Sequence, residues 1–244
     1  MFYNVDRRFI IGVVAVLFVI FLLQSGPEYI MEILLTLPCV ILCIDVHEFS
    51  HALAADRLGD KTPRSEGRLT LNPLKHLDPV GLVLLTFARI GWGKPVHVNV
   101  RNCNSNRSYG ECEAIIAFAG PLSNFIFAFV LSIVLVIVTN FAFFFENAVG
   151  NIIYRMMSYT FLINVGLGVF NLIPIPPLDG EKIFRNMLPQ RAQEFLINYG
   201  NYFQVLFMIL WFTGYLGEIT VPAVEFLASK LLAVSAFIIG FFIH

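Results

Sequence analysis

Apolar runs long enough to cross a lipid bilayer recur along this chain, and they limit its fold more than any other feature. The runs lie at about 9–24, 30–58, 113–145, 152–173, 193–213 and 219–243. They predict an all-α polytopic membrane protein, one domain over 1–244, with about six transmembrane helices. Breaks are expected at Gly120-Pro121 inside the third run and at Pro174-Ile175-Pro176-Pro177 after the fourth. The first run follows Asp6-Arg7-Arg8 and precedes Ser25-Gly26, which also resembles a signal peptide; it is read as an uncleaved span because no A-x-A-like cleavage site follows it. Glu225 and Lys230 mark the first half of the last run as interfacial.

Composition agrees. With 57% hydrophobic and 14% charged residues, the chain has too little polar surface to wrap a water-soluble globule. That excludes an ordinary cytosolic enzyme, a disordered protein and a secreted disulfide scaffold. Cys39, Cys43, Cys103 and Cys112 form no C-x-x-C pair, so neither a zinc ribbon nor a disulfide framework is indicated.

The segment 60–112 differs in kind. It holds Pro63, Pro73, Pro79 and Pro95 and many charges, and its apolar stretch Val80–Ala88 is too short to cross a bilayer. From Lys94 to Arg101, Val96, Val98 and Val100 alternate with His97, Asn99 and Arg101. A period of two predicts a strand with one buried face, hence a small re-entrant or β-hairpin element between the second and third spans. With a cytoplasmic N-terminus, all of the 16 Lys and Arg residues except Arg155 and Lys230 fall on the cytoplasmic side. That accounts for the basic segments, and with a net charge of −1 no nucleic-acid partner is expected.

The second span contains Asp45-Val46-His47-Glu48-Phe49-Ser50-His51. On a helix, residues four apart lie about 40° apart around the axis and about 6 Å along it. Two imidazoles so placed can grip one zinc ion, and the glutamate beside them can take a proton from metal-bound water. Ionisable groups inside a hydrocarbon span are rarely without a function.

A catalytic zinc ordinarily has three protein ligands and an open position. The candidates for the third are Asp179, Cys43, His76 and His97. Cys43 shares the stripe of His47, but a third ligand from one straight helix does not readily close a tetrahedron. His76 and His97 lie in the polar connection and are expected to be solvated. Asp179 has the better context. It follows the proline-rich break, where non-helical backbone implies burial or a wet cavity, and topology brings it to the depth of the histidines. Asp45 is read either as orienting a ligand or as facing water or another helix.

These residues resemble the site-2 protease family of intramembrane zinc metalloproteases. The resemblance rests on His47-Glu48-Phe49-Ser50-His51 and on Asn171 through Gly180, which follows the family pattern N-x-x-P-x-P-x-L-D-G. Gly67 through Leu74 and Ala119 through Asn124 are similar as well. The resemblance implies that His47, His51 and Asp179 hold one zinc ion and that Glu48 is the catalytic base. It further implies that Asn171 helps to hold the substrate backbone, while Asn124 is a substrate-side or helix-packing residue. No PDZ-like insertion or nucleotide-sensing domain is apparent, which reads as a minimal core regulated by a membrane partner or by substrate supply. Gly91-Trp92-Gly93-Lys94-Pro95 departs from the commoner family wording.

The expected chemistry is hydrolysis of peptide bonds within or near transmembrane segments of single-span membrane proteins, in the cytoplasmic half of the cell membrane. An unwound substrate has to satisfy its backbone, so strand addition to Lys94–Arg101 or Arg68–Leu71 is expected. A structural hairpin there is the other reading. Two further readings exist: a metal-ion or proton transporter built on the same His/Glu/Asp cluster, and an inactive relative that only binds membrane helices.

Overall fold

The computed structural model describes residues 26–78, 81, 93–104 and 106–243. The expected first span, 9–24, lies outside these residues, as does nearly all of Val80–Ala88. The described chain is helical. Helix α1 runs Pro27–Leu58, α2 Tyr109–Val138, α3 Ala148–Asn171, α4 Asp179–Arg185, α5 Gln190–Asn198, α6 Gly200–Phe212 and α7 Tyr215–Ile243. Four of these, α1, α2, α3 and α7, are long and apolar enough to cross a membrane. A fifth span is reached if α5 and α6, bent by 67°, are taken together.

Local chemistry sets the ends. Pro27 opens α1, where its missing N–H costs nothing, and Gly59 closes it at φ 110°, a left-handed value that disfavours a side chain. Ser108 and Glu111 form a reciprocal capping box at the start of α2. Asn147 caps α3 by accepting from Val149 and Gly150 N–H. The expected break at Gly120-Pro121 does not occur: α2 continues through Pro121. One absent hydrogen bond is tolerated where neighbouring helices hold the segment, and here α2 packs on both α1 and α3.

Helices α1, α2 and α3 pack on one another, and α7 joins α2 and α3. Ala128, Leu135, Phe161, Val165 and Ala228 form their buried core, and Ser132 meets Ser235 across α2 and α7 at 2.6 Å. A second cluster, Leu178, Phe207 and Leu216, seats the segment before α4 against α6 and α7. Large apolar side chains such as Phe237 and Phe241 point outward, as a lipid-facing surface requires.

The β-hairpin expected between the second and third spans is not found, and no strand forms among the described residues. Leu77 and Gly93 make an isolated antiparallel bridge. Lys94–Asn99 is neither helix nor strand, with Val96 and Val98 half-buried between exposed neighbours and Asn99 extended, and it tightens into a short 3-10 turn at Val100–Asn102. Beyond the bond at Lys94 that belongs to this bridge, its paired backbone donors go to side chains and not to a partner strand. Lys94 N–H donates to the His76 carbonyl at 2.7 Å, Val96 N–H to Glu48 Oε2 at 3.0 Å, and Asn99 N–H to Asp60 Oδ2 at 2.7 Å. The alternation still reports a real face, because Val96, Val98 and Val100 all line one cleft. Side-chain carboxylates have taken the place of a ladder.

Asp60 anchors the far end of this segment. It is fully buried and also accepts from Thr62 N–H, Thr62 Oγ1 and Asn102 Nδ2. Burial pushes the Asp60 carboxyl up, but donors from Thr62, Asn102 and Asn99 outweigh it and hold it below its ordinary value of 3.8.

Candidate metal centre and active site

Helix α1 carries His47, Glu48 and His51 to the junction with α2, and both imidazoles are buried there. Asp179, the first residue of α4, reaches them from the other side. The chain leaves α3 at Asn171, runs irregularly through the prolines and re-enters helix at Asp179, so the break turns a carboxylate toward α1. His47 Nε2 lies 3.1 Å from Asp179 Oδ2 and His51 Nε2 lies 3.0 Å from it. The two Nε2 atoms are 3.1 Å apart.

The far side of each ring determines where its proton sits. His51 Nδ1 is 2.7 Å from the Ile116 carbonyl, which can only accept, so Nδ1 carries the hydrogen. His47 Nδ1 is 2.6 Å from Asn124 Oδ1. Asn124 Nδ2 donates to the Cys43 carbonyl at 3.3 Å and to Asn164 Oδ1 at 2.7 Å, so its oxygen is the atom turned to His47. As neutral imidazoles, both rings therefore turn an Nε2 lone pair toward a carboxylate oxygen. With both rings neutral, three acceptors converge, an arrangement that a cation relieves. A tetrahedral zinc ion with bonds of about 2.0–2.2 Å spaces its ligands roughly 3.3–3.5 Å apart, close to the 3.0–3.1 Å separations here. The donor set fits zinc.

Glu48 projects beside the pair into a cleft of about 570 Å³. Asn171, Leu178 and Asp179 line the cleft on one side and Val96, Val98 and Val100 on another. Lys182 stands at the same cleft with its ammonium 3.8 Å from Asp179 Oδ1.

Among the third-ligand candidates, only Asp179 joins the histidines in one group. Cys43 is buried behind them and accepts from Asn164 Nδ2 at 3.0 Å. His97 is exposed and faces Glu66 at 3.2 Å. His76 is fully buried rather than solvated: Nε2 donates to the Thr70 carbonyl at 2.9 Å and lies 3.7 Å from Asp45 Oδ1. Asp45 thus faces the polar connection. Asn171 ends α3, donates to the Leu167 carbonyl at 3.0 Å and lines the cleft. Asn124 is fully buried behind His47. Sequence reasoning gave no role to Asn164, Ile116 or the Val96 N–H. For Asn164 a signal existed, an amide within an apolar span; a backbone carbonyl or N–H leaves none.

A buried His/His/Asp acceptor group with a glutamate on the same H-E-x-x-H helix, set among helices of membrane-spanning length, defines a membrane metallohydrolase. The chain matches peptidase family M50 over residues 35–212. It is 35% identical over 174 residues to YwhC of Bacillus subtilis, designated a zinc metalloprotease, covering 71% of this chain and 78% of that protein. Rip2 of Mycolicibacterium smegmatis, similarly designated, is 30% identical over 159 residues, 63% of this chain and 57% of its own length. Rip2 of Mycobacterium tuberculosis is 28% identical over 189 residues, covering 72% and 68%. No solved structure matches the chain. The chain belongs to peptidase family M50, the site-2 protease family, and is a metalloprotease whose metal is zinc. Nothing in these relationships supports a transporter.

Proposed function

We propose that the chain hydrolyses peptide bonds within or near the transmembrane segments of single-span membrane proteins. The observation that carries this reading is the convergence of His47, His51 and Asp179 beside Glu48, in a cleft among helices long enough to span a bilayer. His47 Nε2, His51 Nε2 and an Asp179 oxygen would hold the zinc ion. A zinc ion there would supply a bound water of pKa about 7 and polarisation of the scissile carbonyl. Glu48 takes the proton from water and returns it to the leaving amine. Asn124 orients His47, and Asn171 offers its amide to the substrate backbone at the cleft wall.

The segment 94–99 receives the unwound substrate. In an extended chain, residues of one parity direct their N–H groups to one edge. Val96 N–H meets Glu48 on that edge, and Val98 N–H has no partner among the described residues. Unpaired donors at the cleft can complete a backbone that lipid cannot satisfy. The basic residues around the connection and after α3 support a cytoplasmic location for this side.

The test is zinc content and cleavage of a reconstituted single-span substrate, measured on the wild type and on Glu48→Gln. The reading requires zinc in both and cleavage only by the wild type. Cleavage by Glu48→Gln at the wild-type rate overturns it.

A further inference from the structure

We propose that Asn164 is a positioning residue for the metal centre, acting on His47 through Asn124. This rests on the reading of His47 as a zinc ligand. A directed chain of hydrogen bonds crosses the three packed helices. His47 Nδ1 on α1 donates to Asn124 Oδ1 on α2 at 2.6 Å. Asn124 Nδ2 donates to Asn164 Oδ1 on α3 at 2.7 Å. Asn164 Nδ2 donates to the Thr160 carbonyl at 2.8 Å and to Cys43 Sγ at 3.0 Å. Asn124 and Asn164 are both fully buried, so water cannot substitute for any link.

The last link sets the direction of the others. The Thr160 carbonyl can only accept, so the Asn164 NH2 must face it and the Asn164 oxygen must face Asn124. That oxygen draws the Asn124 NH2 away from His47 and leaves Asn124 Oδ1 facing the imidazole. The His47 proton is thereby kept on Nδ1 and its lone pair on Nε2, toward Asp179. Among the described residues, the only other acceptor for Asn124 Nδ2 is the Cys43 carbonyl, at a longer 3.3 Å, and that oxygen already serves the α1 ladder as acceptor for residue 47. A reversed Asn124 would offer a donor to Nδ1 and move the proton to Nε2, which blocks coordination there. His51 is held separately, by the Ile116 carbonyl.

The test uses full-length, metal-free protein with ¹⁵N-labelled histidine in lipid bilayers, where solid-state NMR reports which ring nitrogen carries the proton. Zinc affinity is measured alongside by competition with a chelator. In the wild type, at a pH where both rings are neutral, His47 and His51 are both expected to carry the proton on Nδ1. In Asn164→Leu, His47 divides its proton between both nitrogens, zinc binding weakens by about tenfold, and His51 is unchanged. Asn164→Asp restores wild-type behaviour, because a neutral acid donates O–H to Thr160 and still accepts from Asn124. Asn164→Ser, whose hydroxyl does not reach Asn124, serves if the leucine variant does not fold, with the same expectation. The proposal is overturned by a neutral wild-type His47 that carries its proton on Nε2. It is equally overturned by a folded Asn164→Leu or Asn164→Ser that keeps the Nδ1 proton, or by His51 shifting together with His47. Undiminished zinc affinity in His47→Ala would instead remove the ligand reading, and the proton position, read without metal, would stand apart from that result.

Discussion

A Cβ placed on Gly120 would lie 2.4 Å from His51 Nε2 and 2.7 Å from His47 Cε1. Helix α2 thus crosses α1 directly against the two imidazoles, and the missing side chain is what lets the ligand atoms converge. Gly120→Ala is expected to push the rings apart and lower zinc occupancy by at least about tenfold, a loss on the scale of disturbing a ligand's surroundings. Gly166, with no heavy atom within 4 Å of a built Cβ, is the control. Gly166→Ala should retain zinc and gain up to about 1 kcal/mol of helix stability. Metal analysis and thermal unfolding separate the two, and full occupancy in Gly120→Ala would contradict the packing argument.

Zinc removal should be felt by the fold as well as by the chemistry. Three acceptors held 3.0–3.1 Å apart repel one another without a cation. A ligand present at about 100 times its Kd stabilises the folded state by about 2.7 kcal/mol. Chelation is therefore expected to lower the unfolding midpoint and abolish cleavage together, and added zinc to restore both. An unchanged midpoint would show that this group holds no ion.

Two proline substitutions separate the roles of the segment 94–99. Val98→Pro removes an N–H that has no partner among the described residues. Stability and zinc content should hold while cleavage falls several-fold; unchanged cleavage would sink substrate pairing at this edge. Val96→Pro removes the donor to Glu48. It should lower the turnover rate with zinc retained, and an unaltered rate would show that this hydrogen bond does not position the base.

Asp60 gives a pH-dependent prediction. Its folded-state value lies below the ordinary 3.8, so its contribution is present above that value and is lost as pH falls through the lower folded value. Asp60→Asn leaves the Asn99 N–H facing an amide, because Oδ2 is its acceptor, at a penalty of about 1–3 kcal/mol. The stability gap between wild type and variant should be full at pH 7 and narrow as pH drops below about 3.8. A gap independent of pH would rule out the ionised carboxylate as its source.

Much of this was legible from the residues in order. The apolar runs anticipated α1, α2, α3 and α7 to within a few residues at most ends, because helix length and hydropathy are local properties. H-E-x-x-H placed His47 and His51 on one face by helical period alone. The segment 94–99 was half legible: alternation identified the face formed by Val96, Val98 and Val100, but not that Glu48 and Asp60 would take the N–H groups a partner strand would have used. His76 was misjudged as solvated because burial by the connection folding over itself leaves no periodic trace.

What the chain determined by itself was the four described membrane-length helices among the six spans expected, the paired histidines with their glutamate, and the proline break that delivers Asp179. Each follows from spacing within one segment. Only the tertiary structure decided what stands behind each imidazole. Asn124 lies 77 residues from His47, the Ile116 carbonyl 65 from His51, and Asn164 another 40 beyond Asn124. A period of 3.6 residues sets angles within a helix, but the rotation and height of one helix against the next are set by packing. Here that packing turns on a glycine small enough to let α2 touch the metal ligands.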